Sequence, residues 1–265
     1  SERAARRSPA GIAHLEGDSN LGTGPIAVDL ANHFLAAGAG VIAKGADRPS
    51  VRSMEAQIRA GLAWEVEQER ITDQELLQRS ERFRGTTGYG GMGTAELLVA
   101  VPEGSAAGLE PLVEVEGHLS DGCLVLTSGM SSSLSRVQRT FSRPERLVGI
   151  QVWSPIEHFP LLEIVPGTLS SPDAINAVRR LARRLDLTAI NVGEGGRTPS
   201  ARLLGVYFRE ALELAAAGVP INRIDTVCEG EGMLLGPFRR IDVLGAAAAH
   251  ALLDGAQAAT GILDT

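Results

Sequence analysis

Aromatic residues make up only 4% of this 265-residue chain, and cysteine occurs just twice. No apolar run approaches the roughly 18 residues that a membrane-spanning helix needs. So few aromatics beside 31 glycines suit tight βα turns better than a β-sandwich. Cys123 and Cys228 lie far apart, and neither has a neighbour at metal-ligand spacing. That excludes a disulfide framework and a cysteine-based metal site, and both residues read as buried thiols in a reducing compartment. Positive charge is also short: 25 Lys and Arg against 32 Asp and Glu give a net charge of −7 and a pI near 5.3. Nucleic acid is thereby a poor candidate for the main partner. The basic start SERAARRSP is not followed by an apolar segment, so no secretory signal is read and a cytoplasmic location is expected. The first residue is Ser rather than Met, which suggests a piece of a longer protein.

What is present is an ordinary soluble composition, 44% hydrophobic and 22% charged, long enough for one large domain or two. Residues 1–10 read as a disordered or linking segment. The spacing then predicts a short strand at Ile12–Leu15, a glycine-rich loop, a helix from Pro25 and a strand at Val41–Ala43. Strand, glycine turn, helix and strand within about 30 residues form a βαβ unit. A dinucleotide fingerprint, G-x-G-x-x-G, would place its glycines where the pyrophosphate approaches the backbone. Here the frame reads Gly17, Ser19 and Gly22, so the middle glycine is replaced. Asp18 adds a negative charge beside the helix end that should receive an anion. The acid that would bind the ribose hydroxyls falls on Gly45, with Asp47 two positions late. The loop therefore reads as a structural remnant in preference to a working NAD site.

Further along, Val51–Glu69 has a helical apolar stripe, with Trp64 expected as a core or interhelical anchor. Thr72 and Glu75 form a capping box for a second helix whose apolar side would be Leu76, Leu77 and Phe83. Glu96–Val101 and Cys123–Leu126 read as buried strands. Between them an acidic helix, Leu109–Leu119, is expected to be solvated along Glu110, Glu114 and Glu116. The stretch Arg143–Gly167 organises the rest: a turn, an apolar strand at Leu147–Val152, a Ser154-Pro155 break, and a second apolar strand at Pro160–Val165. Glu163 interrupts that second run, and on pattern alone it reads as a strand-end carboxylate reaching solvent. A helix at Ser171–Arg184 ends in four arginines on a solvated face, Leu187–Val192 is a last strand, 193–197 is a linker, and 198–265 is helical.

The residues RPERLVGI, then SP, then PLLEIVPG resemble the 3-hydroxyacyl-CoA dehydrogenase family, above all the dehydrogenase region of fatty-acid oxidation multifunctional α-subunits. There the pattern is RPE, G-x-HFFNP and an LVEII strand. TPSARLL, Y–EAL and GP–DVLG continue the resemblance into the last third of the chain. It implies an α/β fold, with a mostly parallel Rossmann-type domain over 11–192 and an all-α domain over 198–265 of the dimerising kind.

It also implies a site whose key members are missing. The catalytic His falls on Gln151, the Asn of HFFNP on Ser154, a second catalytic Asn on Ala201, and the glutamate that orients the His on Glu163. The family's substrate-binding Ser falls on Ser132, or two residues away if the frame slips; plain turn and cap chemistry explains the serine run equally well. Gln151 cannot take a proton at neutral pH, and loss of a general base typically costs roughly 10²–10⁴-fold. The expectation is a degenerate dehydrogenase domain serving as a structural, partner-binding or acyl-CoA-binding module, as a homodimer or within a larger multifunctional protein. NAD is doubtful and no metal is implied. The alternative is an active NAD(H)-dependent 3-hydroxyacyl thioester oxidoreductase with an altered site.

Overall fold

The structure is a computed structural model and describes residues 12–16, 25–101, 110–128, 134–193 and 198–260. The chain divides into two compact units, Ser1–Glu194 and Gly195–Thr265.

The first unit is built on an eight-stranded sheet. Its strands are β1 (Ile12–Glu16), β2 (Val41–Lys44), β3 (Phe83–Thr86), β4 (Leu97–Val101), β5 (Leu124–Ser128), β6 (Leu147–Gln151), β7 (Leu161–Pro166) and β8 (Thr188–Asn191). They lie in the order β3-β2-β1-β4-β5-β6-β7-β8. The first six run parallel, β7 is antiparallel to β6, and β8 is parallel to β7. This is the doubly wound Rossmann order, with the direction of strand progression reversing between β1 and β4. The helices α1 (Pro25–Ala36), α2 (Arg48–Glu67), α3 (Asp73–Glu81), α4 (Glu110–Glu116), α5 (Leu134–Gln138) and α6 (Pro172–Arg184) connect the strands.

β4 shows why the strands read as continuous apolar runs. Leu97, Val99 and Val101 pack into one cluster with Phe34, Ile58 and Ile150. The alternate residues Leu98 and Ala100 pack into another with Met92, Leu112 and Val125. A parallel sheet covered on both faces requires this. α2 and α3 start at the caps the sequence supplies. Asp47 and Ser50 close a capping box on α2, and Thr72 and Glu75 close one on α3.

Five expectations need correction. Phe83 belongs to β3 rather than to α3, because its backbone pairs with Val41 of the neighbouring parallel strand. Leu77 lies exposed. Trp64 is not a core anchor: it is 46% exposed, and its ring carries the Arg70 guanidinium 4.7 Å from its centre. Glu116 is not solvated, since its carboxylate accepts the N–H groups of Ser142 and Arg143 and pairs with Arg146. Cys123 is buried and Cys228 only half-buried.

The second unit consists of α7 (Pro199–Ala216), α8 (Ile221–Gly230), α9 (Pro237–Leu244) and α10 (Ala246–Thr260). Thr198 caps α7. Asp225, buried on α8, accepts the N–H groups of Phe238 and Arg239 and so caps α9 from a distance.

Candidate active site

In doubly wound sheets, ligands bind outside the carboxyl ends of the strands. Gln151 is the last residue of β6 and stands directly opposite Glu163 on the antiparallel β7. Directly opposed residues put their Cβ atoms roughly 4.5–5.5 Å apart on one face of the sheet. An imidazole at 151 would therefore share a face with the Glu163 carboxylate, as a histidine–glutamate pair needs. Glu163 is 0% exposed, so it is not a strand end reaching solvent: Val192 and β8 extend the sheet past it. Gln151 is half-buried and donates its side-chain N–H to the Val152 carbonyl at 2.9 Å. An amide at this position supplies no base at neutral pH.

The loop after β6 is tied down by a residue the sequence did not single out. Asp29, in the second turn of α1, accepts the Ser154 hydroxyl at 2.5 Å and the Ile156 N–H at 3.3 Å. Ser154 thus spends its proton on a carboxylate of the first helix. Asp29 shares α1 with Asn32 and His33, so no pattern in the sequence marked it out. Two further hydroxyls lie at the carboxyl end of β5. Thr127 and Ser128 are buried, and among the described residues their oxygens have no hydrogen-bond partner. Their signal was the abrupt change from apolar CLVL to a serine-rich run.

His158 lies exposed in the loop, away from any role the geometry can assign it. Ser132 and the fingerprint residues Gly17, Ser19 and Gly22 lie outside the described residues. Ala201 is buried in the first turn of α7, in the second unit, and has no polar side-chain atom.

At the end of β2, Gly45 donates its N–H to the Thr86 carbonyl. A Cβ at position 45 would stand 2.5 Å from Ser50 Oγ and 2.9 Å from Val51 Cγ2. Ser50 is held there by the capping box, so a larger side chain at 45 would have to displace it or Val51. Asp47 caps α2, accepting the Ser50 N–H at 2.8 Å through one carboxylate oxygen. That hydrogen bond, first among the causes, holds the Asp47 carboxyl below the ordinary aspartate range. At the end of β2, Gly45 itself offers a ribose diol no side chain.

Two family models match the chain. One is described as the NAD binding domain of 3-hydroxyacyl-CoA dehydrogenase, over residues 19–195, and the other as its C-terminal domain, over 200–262. The fatty acid oxidation complex subunit alpha of Pseudomonas savastanoi pv. phaseolicola is 30% identical over 190 residues. That alignment covers 71% of this chain and 26% of the Pseudomonas protein, so the chain matches about a quarter of its curated relatives' length. Among solved structures, FadB2 of M. tuberculosis superposes with a TM-score of 0.81 at 18% identity, covering 94% of this chain and 87% of that one. The (S)-3-hydroxybutyryl-CoA dehydrogenase PaaH1 of Ralstonia eutropha gives 0.79 at 18% identity, covering 93% and 86%. With both family models covering nearly the whole sequence, the chain belongs to the 3-hydroxyacyl-CoA dehydrogenase family.

Proposed function

We propose that this chain is a 3-hydroxyacyl-CoA dehydrogenase-type domain of fatty-acid or acyl-CoA metabolism that has lost its own hydride-transfer chemistry. It is retained as a structural, partner-binding or acyl-CoA-binding module. The observation that carries the reading is the register of β6 on β7, which sets a glutamine against the buried Glu163. Oxidising a hydroxyl needs a group to take its proton, and an amide does not do so at neutral pH. Ala201 and the absence of a side chain at Gly45 point the same way. The test is turnover of the purified chain with acetoacetyl-CoA and reduced nicotinamide, beside calorimetric titration with acetoacetyl-CoA alone. Binding without turnover is the expected result.

A second reading, an active oxidoreductase with an altered site, draws on one fact: Glu163 is still present and fully buried. Turnover that falls on Glu163→Gln would establish this second reading.

The helical unit carries the interaction surface of the proposal. Leu203, Ile221, Val227, Met233 and Val243 are exposed there, each at least 47%. Such a set of apolar side chains fits a second copy or the remainder of a longer multifunctional protein. Sedimentation of the isolated chain distinguishes a dimer from a monomer.

A further inference from the structure

The outer face of α6 carries charge that neither the packing nor the site at the end of β6 uses. Its inner face, Ala174, Val178 and Ala182, is buried in the cluster that holds Val148 and Ile164. Arg179, Arg180, Arg183 and Arg184 lie on the opposite side, all exposed. They stand in two rows, 179 with 183 and 180 with 184. Like charges four residues apart on a helix repel, and the pull of the helix C-terminus offsets this only in part. Elsewhere in the first unit arginines find partners: Arg70 with Glu157, Arg79 with Glu65, Arg143 with Asp121 and Arg146 with Glu116. The four arginines of α6 form no ion pair among the described residues. Arg179 donates to the Asn176 side chain at 2.9 Å, within the same helix. Asp173 lies at the other end of α6, and Asp186, just past its end, pairs with none of them. In a chain of net charge −7, this is a concentrated and unused positive face.

We propose that the outer face of α6 docks an acidic helix of a partner protein. Carboxylates four residues apart on such a helix are spaced by about 6 Å along its axis, the same rise that separates Arg179 from Arg183. Each guanidinium can hold a carboxylate through two parallel N–H donors. A membrane surface fits less well, because α6 exposes no large apolar side chain to enter the acyl region. Nucleic acid would meet the repulsive field of the whole acidic chain, whereas a short acidic helix meets the local patch. The inference does not depend on whether turnover survives opposite Glu163.

The experiment is fluorescence anisotropy of a labelled alanine-rich helical peptide with glutamate at every fourth position, titrated with the full chain at low salt. Its unlabelled glutamine counterpart, phosphatidylglycerol vesicles and coenzyme A serve as competitors. Arg179→Glu/Arg183→Glu and Arg180→Glu/Arg184→Glu should each weaken binding roughly tenfold or more. Salt at roughly 0.5 M should abolish it. Arg59→Glu/Arg223→Glu, at two exposed arginines without ion pairs among the described residues, makes the same change in net charge and should leave binding nearly unchanged. Circular dichroism checks each fold, and Arg179→Gln/Arg183→Gln repeats the test without placing acids at a helix end. No binding of the glutamate peptide, equal competition by its glutamine counterpart, or equal losses in the control and the α6 variants would overturn the proposal. So would tighter binding of the vesicles or of coenzyme A through the same arginines, which would make this a face for lipid headgroups or a nucleotide phosphate.

Discussion

The two ends of the central strands make opposite demands on the chain. At the amino end of β6, side chains and backbone are densely hydrogen-bonded to one another. Gln138, 0% exposed, shares its amide N–H groups among the Pro144 and Leu147 carbonyls and the Ser170 hydroxyl, and accepts the Leu169 N–H. Ser170 donates to the Leu147 carbonyl, and Arg146 donates to the Ser120 carbonyl while pairing with Glu116. Gly167 is required there because any Cβ would run into the Gln138 amide. At the carboxyl end, by contrast, the glutamine opposite Glu163 supplies no base at neutral pH, and two buried hydroxyls have no partner among the described residues. The frame that RPER and the final Gly of PLLEIVPG announce is thus a scaffold motif, fixed by hydrogen bonding that does not depend on catalysis.

Four substitutions would break or sharpen this contrast, in decreasing order of effect. Glu116→Ala strands the Arg146 guanidinium, whose side chain is 11% exposed, and orphans two N–H groups. A loss of about 3–5 kcal/mol is expected, seen as a fall in thermal midpoint on the order of 10 °C. Gly167→Ala overpacks the same end and should cost about 1–3 kcal/mol in urea unfolding.

Asp29→Asn, at the carboxyl end, weakens the hold on Ser154 and Ile156, and about 1 kcal/mol is expected. A cost as large as that of Glu116→Ala would mean that both ends are equally built. Gln151→His should change stability by less than about 1 kcal/mol, yet it restores a titratable group opposite Glu163. The carboxylate raises the imidazole pKa in the folded state. The stability this contributes is full below the unfolded value of about 6.5 and disappears as pH rises through the folded value. A proton NMR titration reads that pKa directly, and a value at or below about 6.5 would contradict the pairing.

Cys123 offers a smaller check at the amino end. Burial pushes its thiol up to about 11, ahead of the opposing pull of Arg146. Folded protein should therefore resist a thiol reagent at this residue near neutral pH, and stability should decline as pH rises above about 8.5 toward the folded value.

The sequence displayed the sheet well, because alternating burial on two covered faces leaves uninterrupted apolar runs such as LLVAV and LVGI. β3 was hidden. Phe-Arg-Gly-Thr has no strand pattern, and it exists because β2 offers it an edge. Glu116 and Glu163 were misread by pattern for one shared reason: an acidic residue looks solvated until its partner elsewhere in the chain is known. The Gln151–Glu163 opposition needed the register of an antiparallel pair, which spacing alone does not supply. Asp29 lies 125 residues from Ser154, and nothing local links the two.

The most direct test of lost chemistry is steady-state turnover of acetoacetyl-CoA with NADH and with NADPH, followed by nicotinamide absorbance on the unmodified chain. The account predicts a rate at least about 10²-fold below the roughly 10 s⁻¹ of an ordinary enzyme, unchanged by Glu163→Gln. A rate near that ordinary value, falling on Glu163→Gln, would contradict it and make this an active dehydrogenase with a rebuilt site.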